Sequence, residues 1–294
     1  MAFNVKIFKT RALTAIIFAV VMLAGLLWNK WSFLLLFSFI HFGCWVEYQR
    51  LITCIDKGYA GINPLHRNGV MLAGWCFMIW LTGNDYTLFD LQLHELGWWF
   101  GLAMFFLLPM SELLFATTIS LKNIKWSLLG LLYISLSWGL MMDLYRPGNW
   151  QVYDTVYLMD ARMIPITIIA SIWINGTMAY IVGSFIGKTP LSKISPKKTW
   201  EGTIGGIILS VLVVGLLSYY VFHFQYLTIH LVIIAAIAAI TGTFGDLLES
   251  KLKRMAGVKD SGNFMPGHGG FLDRFDSLLL AIPFVWLYVQ LFMN

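Results

Sequence analysis

The 294-residue chain is 59% hydrophobic and only 12% charged, whereas soluble domains carry about 25% charged residues. A water-soluble fold of this length cannot hide that much apolar surface, so lipid must solvate much of the chain, and the apolar runs are too long for the ~10-residue strands of a membrane barrel. The net charge of +5 is no sign of a nucleic-acid partner; its distribution reports orientation in a membrane.

Nine runs are long enough to cross ~30 Å of hydrocarbon, near 12–28, 31–48, 68–83, 96–118, 126–143, 162–186, 203–223, 228–249 and 272–293. The expected fold class is all-α, a polytopic integral membrane protein of about nine transmembrane helices. The first run has no small-residue cleavage pattern and reads as a retained helix rather than a signal peptide. The second carries the polar residues His41 and Glu47, and the third is short. With the N-terminus in the cytoplasm, all but three of the 20 Lys and Arg residues (Lys30, Arg146 and Arg162) fall on the cytoplasmic side, as the positive-inside rule requires. The 84–95 loop has acids but no Lys or Arg, as an outer loop should.

The chain therefore reads as a single membrane domain, 1–294, in the inner (cytoplasmic) membrane. Residues 1–160 hold N-terminal transmembrane helices, and 161–294 hold C-terminal helices with the cytoplasmic loops that carry the chemistry. Cys44, Cys54 and Cys76 lack metal-ligand spacing and read as small apolar residues.

Two cytoplasmic stretches are long and polar, 187–202 and 246–276. In the second, Asp246 and Glu249 are three apart and share a helical face, and Asp273 and Asp276 repeat that spacing. Asp260 lies between them on a Gly-rich connection. Carboxylates projected from two helices suit a hard cation such as Mg²⁺, which leaves positions for substrate phosphates. Lys251, Lys253, Arg254, Lys259 and Arg274 stand among these acids, and such interleaving suits neutralisation of a polyphosphate. Pro266-Gly267-His268-Gly269-Gly270 lets backbone N–H groups approach an anion ahead of a helix N-terminus. In the first stretch, Ser195-Pro196-Lys197-Lys198-Thr199-Trp200-Glu201-Gly202 suits phosphate or anionic lipid headgroups equally. Gly187-Lys188-Thr189 is not a P-loop, because Gly183 is one residue too close. Gly202 and Gly206 mark close helix packing.

The run Ser250-Lys251-Leu252-Lys253-Arg254, then Lys259-Asp260-Ser261-Gly262, then Pro266 through Asp276, resembles the hallmark of the phosphatidate cytidylyltransferases. The Ser195–Gly202 run resembles a second motif of that family, in the right order and separation. The resemblance is specific over about 173–276; the N-terminal helices agree only in hydropathy.

The family likeness implies nine membrane helices, an active site facing the cytoplasm, and Mg²⁺-dependent attack of phosphatidic acid on the α-phosphorus of CTP. It places Asp246 and Asp273 at the metal centre, with K⁺ as an expected second cation there, and puts Lys259 and Asp260 in the catalytic site. Asp276 and His268 are further catalytic candidates. Ser195, Lys197 and Lys198 are expected to bind phosphate, with Arg254, Gly269, Gly270 and Arg274 as further substrate-binding candidates. CTP, phosphatidic acid and membrane lipids are the implied partners, and a homodimer is plausible on the same ground.

One position departs from the family pattern. Trp173-Ile174-Asn175-Gly176-Thr177-Met178-Ala179-Tyr180 has glycine where an acid is expected, which raises the alternatives of impaired activity or CTP-dependent lipid phosphorylation. A transporter would show inverted halves and charges near the bilayer midplane, and neither is visible.

Overall fold

The computed structural model describes residues 5–115, 121–146, 148–152, 155–264 and 269–293. Helices dominate it. In chain order they are α1 (Val5–Leu27), α2 (Lys30–Ile55), the single turn α3 (Lys57–Ala60), α4 (Pro64–Trp80), α5 (Leu93–Phe115), α6 (Leu121–Gly130), α7 (Leu136–Leu144), α8 (Met163–Ile186), α9 (Trp200–Leu216), α10 (Thr228–Met255) and α11 (Leu272–Phe292). π-helical turns Leu131–Ser135 and Leu217–Val221 follow α6 and α9.

Among the described residues, seven helical stretches are long and apolar enough to cross a membrane, rather than the nine expected. The remaining two expected spans are helical but short: α4 has 17 residues, and the apolar stretch of α1 is Leu13–Leu27. The second expected span is fully formed despite His41 and Glu47, as α2. Two small antiparallel hairpins were not anticipated, β1 (Thr87–Leu88) with β2 (Leu91–Gln92) and β3 (Gly148–Val152) with β4 (Thr155–Met159). Strands of 2 and 5 residues are too short for alternation to stand out in an apolar chain.

The chain divides into two compact units, one of Met1–Met142 with Leu252–Phe275 and one of Asp143–Lys251 with Asp276–Asn294. In the first, α2 is the central element. Phe33, Phe37, Cys44, Trp45 and Ile52 on it are 0% exposed. Trp138 packs on Phe37 and Phe275, with ring centroids 5.0 and 5.6 Å apart. Ser135, at the end of the first π-turn, meets both His41 Nε2 (3.0 Å) and Trp45 Nε1 (2.9 Å). A polar chain also runs through this core: His66 Nε2 lies 2.9 Å from Ser127 Oγ, and His66 Nδ1 lies 3.4 Å from a Glu112 carboxylate oxygen.

In the second unit, α8 and α9 lie against each other through glycine. A Cβ on Gly202 would sit 2.6 Å from Ala179 O, and one on Gly206 would sit 2.7 Å from Asn175 O. The close packing read from this pair is realised. The Gly245 face of α10 approaches α11 in the same way, since a Cβ there would sit 2.5 Å from Asp276 O.

Candidate active-site clusters

The first unit gathers one acid–base cluster around the start of α11. Asp273 lies in its first turn. Its Oδ2 accepts from the Gly270 N–H (2.8 Å) and the Ser261 N–H (2.9 Å), while Oδ1 accepts from Lys253 Nζ (2.6 Å). The Ser261 hydroxyl lies 2.6 Å from Glu47 Oε2 and 2.9 Å from Asp273 Oδ2, so its single proton serves one carboxylate at a time.

Glu47 does more. From the interior of α2, only 7% exposed, it accepts the Phe271 and Leu272 N–H groups at 2.9 Å each. These are orphan donors at the N-terminus of α11, where a carboxylate is also favoured by the helix dipole. Two glycines make the arrangement possible. A Cβ at Gly270 would lie 2.2 Å from both Glu47 oxygens. Gly269 has φ +84° and would place a Cβ 2.6 Å from Asp273 Oδ2, so only glycine suits the backbone and the space.

The expected residues around this cluster take different positions. Lys259 and Asp260 are exposed on the segment that leads into buried Ser261. Arg254 is exposed and donates to Val258 O (3.1 Å). Arg274 is exposed on the first turn of α11. His268, with Pro266 and Gly267, lies outside the described residues.

The second unit builds a separate cluster on the 187–199 loop and α10. The loop folds back on itself: Leu191 N–H donates to Lys198 O (2.8 Å), Trp200 N–H to Thr189 O (2.9 Å), and Lys198 N–H to Ser195 O (3.1 Å). Glu201 fastens the loop by accepting from the Thr189 hydroxyl (2.8 Å) and from the Lys188 and Thr189 N–H groups. Thr199 caps α9 through Gly202 N–H. The result puts Lys198 Nζ on Asp246 Oδ2, whose Oδ1 receives Ser250 Oγ at 3.3 Å. Lys197, Lys198, Thr199, Asp246, Asn175 and Gly176 all line a cleft of about 530 Å³. Ser195 shapes the turn but is not on the cleft wall. Asp276 and Glu249 are buried, at 8% and 0% exposure.

Gly176, the position that departs from the expected acid, faces this cleft. A Cβ built there meets nothing within 4 Å. Asn175 beside it donates to Ala239 O and Thr243 Oγ1, while its buried Oδ1 has no hydrogen-bond partner.

Among the described residues, no three His, Cys, Asp or Glu side chains converge as a preformed metal cage. A hard divalent cation can be held by one or two carboxylates, with substrate phosphates and water completing the shell. Each cluster offers one carboxylate already facing a lysine: Asp273 with Lys253, and Asp246 with Lys198. Among the described residues, neither cluster holds the His or Cys ligands that zinc prefers.

Sequence reasoning missed Glu47 and gave Ser261 and Lys253 no separate role. The available signal was the carboxylate itself, since an acid inside a membrane helix is expensive and tends to be functional.

The cytidylyltransferase family profile matches residues 9–292. The phosphatidate cytidylyltransferase of Staphylococcus saprophyticus is 34% identical over 277 residues, covering 94% of this chain and 96% of that protein. The enzyme of the same name from Bacillus subtilis is 36% identical over 63% of this chain and 65% of its own length. The one from Synechocystis is 44% identical over 44% of each.

Proposed function

The chain belongs to the cytidylyltransferase family, and we propose that its two acid–base clusters perform the transfer of a cytidylyl group from CTP to phosphatidate, giving CDP-diacylglycerol and pyrophosphate. The activity follows from the family and from a relative matched over nearly its whole length. The assignment of residues rests on one observation: Lys198 of the 187–202 stretch meets Asp246 of the 246–276 stretch on the wall of one cleft.

The reaction joins two anions. An oxygen of the phosphatidate phosphate bonds to the α-phosphorus of CTP, the bond from that phosphorus to the bridging oxygen breaks, and pyrophosphate leaves with the electron pair. The nucleophile is already ionised, so no strong general base is needed; positioning and charge neutralisation carry the rate. Lys197 and Lys198 supply positive charge to phosphate oxygens. Asp246 beside Lys198 and Asp273 beside Lys253 each offer a carboxylate to a divalent cation, the cofactor class that this family uses, and Mg²⁺ would neutralise polyphosphate charge when bound. Lys253 and the Ser261 and Gly270 N–H groups hold Asp273 in one orientation. Lys259, Asp260 and Arg274 are exposed where an incoming nucleotide can meet them.

The protein is a multi-pass membrane protein, and its lysine and arginine bias supports a cytoplasmic position for both loops, where CTP arrives from water. Tyr180 and Phe185 on α8 are 78% and 84% exposed, an apolar flank along which a lipid substrate can approach. Gly176 supports a second reading, a family member of reduced activity, because the cleft has room for the acid it lacks.

The test is conversion of phosphatidic acid and radiolabelled CTP by the purified protein in mixed micelles, with and without Mg²⁺. Mg²⁺-dependent labelled lipid matched by pyrophosphate is the expected result. Labelled lipid without pyrophosphate, or transfer of the γ-phosphate, would overturn the reading in favour of a kinase.

A further inference from the structure

A second cleft, of about 470 Å³, lies in the first unit where α4 ends and α5 begins, lined by Trp80, His94, Glu95, Trp98 and Trp99. None of these residues belongs to either acid–base cluster. Its construction starts at Gly97. A Cβ there would lie 2.4 Å from Trp80 N and 2.8 Å from Cys76 O, so glycine alone lets the first turns of α5 lie on the last turn of α4. That approach brings the Trp80 and Trp98 rings to 5.1 Å between centroids, tilted by 42°. All three side chains keep solvent exposure: Trp80 is 39% exposed, Trp98 45% and Trp99 64%.

Tryptophans at a membrane boundary commonly anchor a helix one at a time. Three indoles sharing a cleft with a carboxylate form a different object, because aromatic faces attract a cation lying within ~6 Å of their centroids. The last carbonyls of α4, which ends at Trp80, add the partial negative charge of a helix C-terminus. Among the described lining residues there is no lysine or arginine to oppose it. His94 contributes an Nδ1 with no hydrogen-bond partner.

We propose that this cleft binds the primary-ammonium headgroup of a zwitterionic membrane phospholipid. The indoles hold the cation, and Glu95 accepts an N–H that a quaternary ammonium does not possess. A lipid rather than a soluble amine is the occupant because the wall continues along α5 as exposed Phe100, Phe105, Phe106 and Leu107, an apolar track for acyl chains on a membrane-spanning helix. The site is independent of the cytidylyl-transfer reading.

Native mass spectrometry of the purified full-length protein tests it, using phosphatidylethanolamine, phosphatidylcholine and phosphatidylglycerol of identical acyl chains. Phosphatidylethanolamine adducts should exceed phosphatidylglycerol adducts by ~5-fold, and Glu95→Gln and Trp98→Leu should each reduce that ratio to ~2-fold or less, the scale of one weakened cation contact. Both substitutions alter exposed side chains, and unchanged melting would show that the fold is intact. Equal adducts in the parent protein, or a ratio untouched by both substitutions, would overturn the site. Phosphatidylcholine matching phosphatidylethanolamine would overturn the primary-ammonium assignment. Stripping of the adduct by millimolar free ethanolamine would replace the lipid with a soluble amine.

Discussion

Glu47 is the residue whose loss should do most at the smallest change of volume. Glu47→Ala takes the acceptor from Phe271 N and Leu272 N at once, in residues that are 6% and 0% exposed, while the Ser261 hydroxyl turns to its other acceptor, Asp273 Oδ2. Each orphaned buried donor costs about 1–3 kcal/mol. Part of that is offset because the variant no longer buries a carboxylate, leaving a net loss of about 2–4 kcal/mol. At ~2–4 °C per kcal/mol for chains of comparable size, melting should fall by roughly 10 °C. Glu47→Gln keeps the volume and one carbonyl oxygen, so one N–H keeps its acceptor while the new NH₂ faces a donor. Its loss should be about 1–3 kcal/mol. Ser261 also holds Asp273, so the amide variant should lose turnover by ~10–100-fold, the scale of a ligand misplaced by about 1 Å. Tryptophan fluorescence melting in detergent, read beside CTP-dependent lipid labelling, separates the two effects. A Glu47→Ala protein that melts within about 2 °C of its parent and turns over within about twofold would refute this account of α2 as the support of the cluster.

Asp273→Asn should lower turnover by ~100-fold or more while the protein remains inserted and folded, since it removes one carboxylate offered to the cation and breaks the Lys253–Asp273 ion pair; lipid labelling within about twofold of the parent would sink the assignment. Gly176→Asp adds a carboxylate into open space, so it should raise kcat/KM by roughly tenfold or tighten the Mg²⁺ requirement, one tenfold step being about 1.4 kcal/mol; an unchanged Mg²⁺ titration would remove Gly176 from consideration. Asp56 is held below the ordinary carboxylate range by Lys122 first, then by the Trp126 and Gly58 N–H groups. A depressed value means that this stabilisation is present above the ordinary carboxylate pKa of ~4 and is lost as pH falls through the lower folded value. Melting followed from pH ~6 to ~3 should therefore fall more steeply for the parent than for Asp56→Asn; parallel profiles would contradict the sign.

Membrane character and the two polar loops were legible because they rest on composition and on residues close together in the chain. Lys197, Lys198 and Thr199 sit within one turn of α9, and their loop is closed by Glu201 from the same motif. The short spans were harder to read. Hydropathy does not distinguish a 17-residue helix such as α4 from a full crossing when its neighbours are apolar as well. Glu47 was legible only as a blemish in a membrane span. Its partners lie more than two hundred positions away, at Ser261, Phe271 and Leu272, and no spacing rule reaches that far.

The same residue shows why the blemish and the function are one fact. A buried carboxylate is tolerated only when its charge is met by donors, and the donors that meet this one are the backbone of the loop carrying Asp273. Gly270 must then be glycine, because any Cβ would collide with the carboxylate. The glycines of the motif therefore need not contact a nucleotide to be required. They make room for a support that enters from α2, and Asp273 inherits its orientation from that support through Ser261 and the Gly270 N–H.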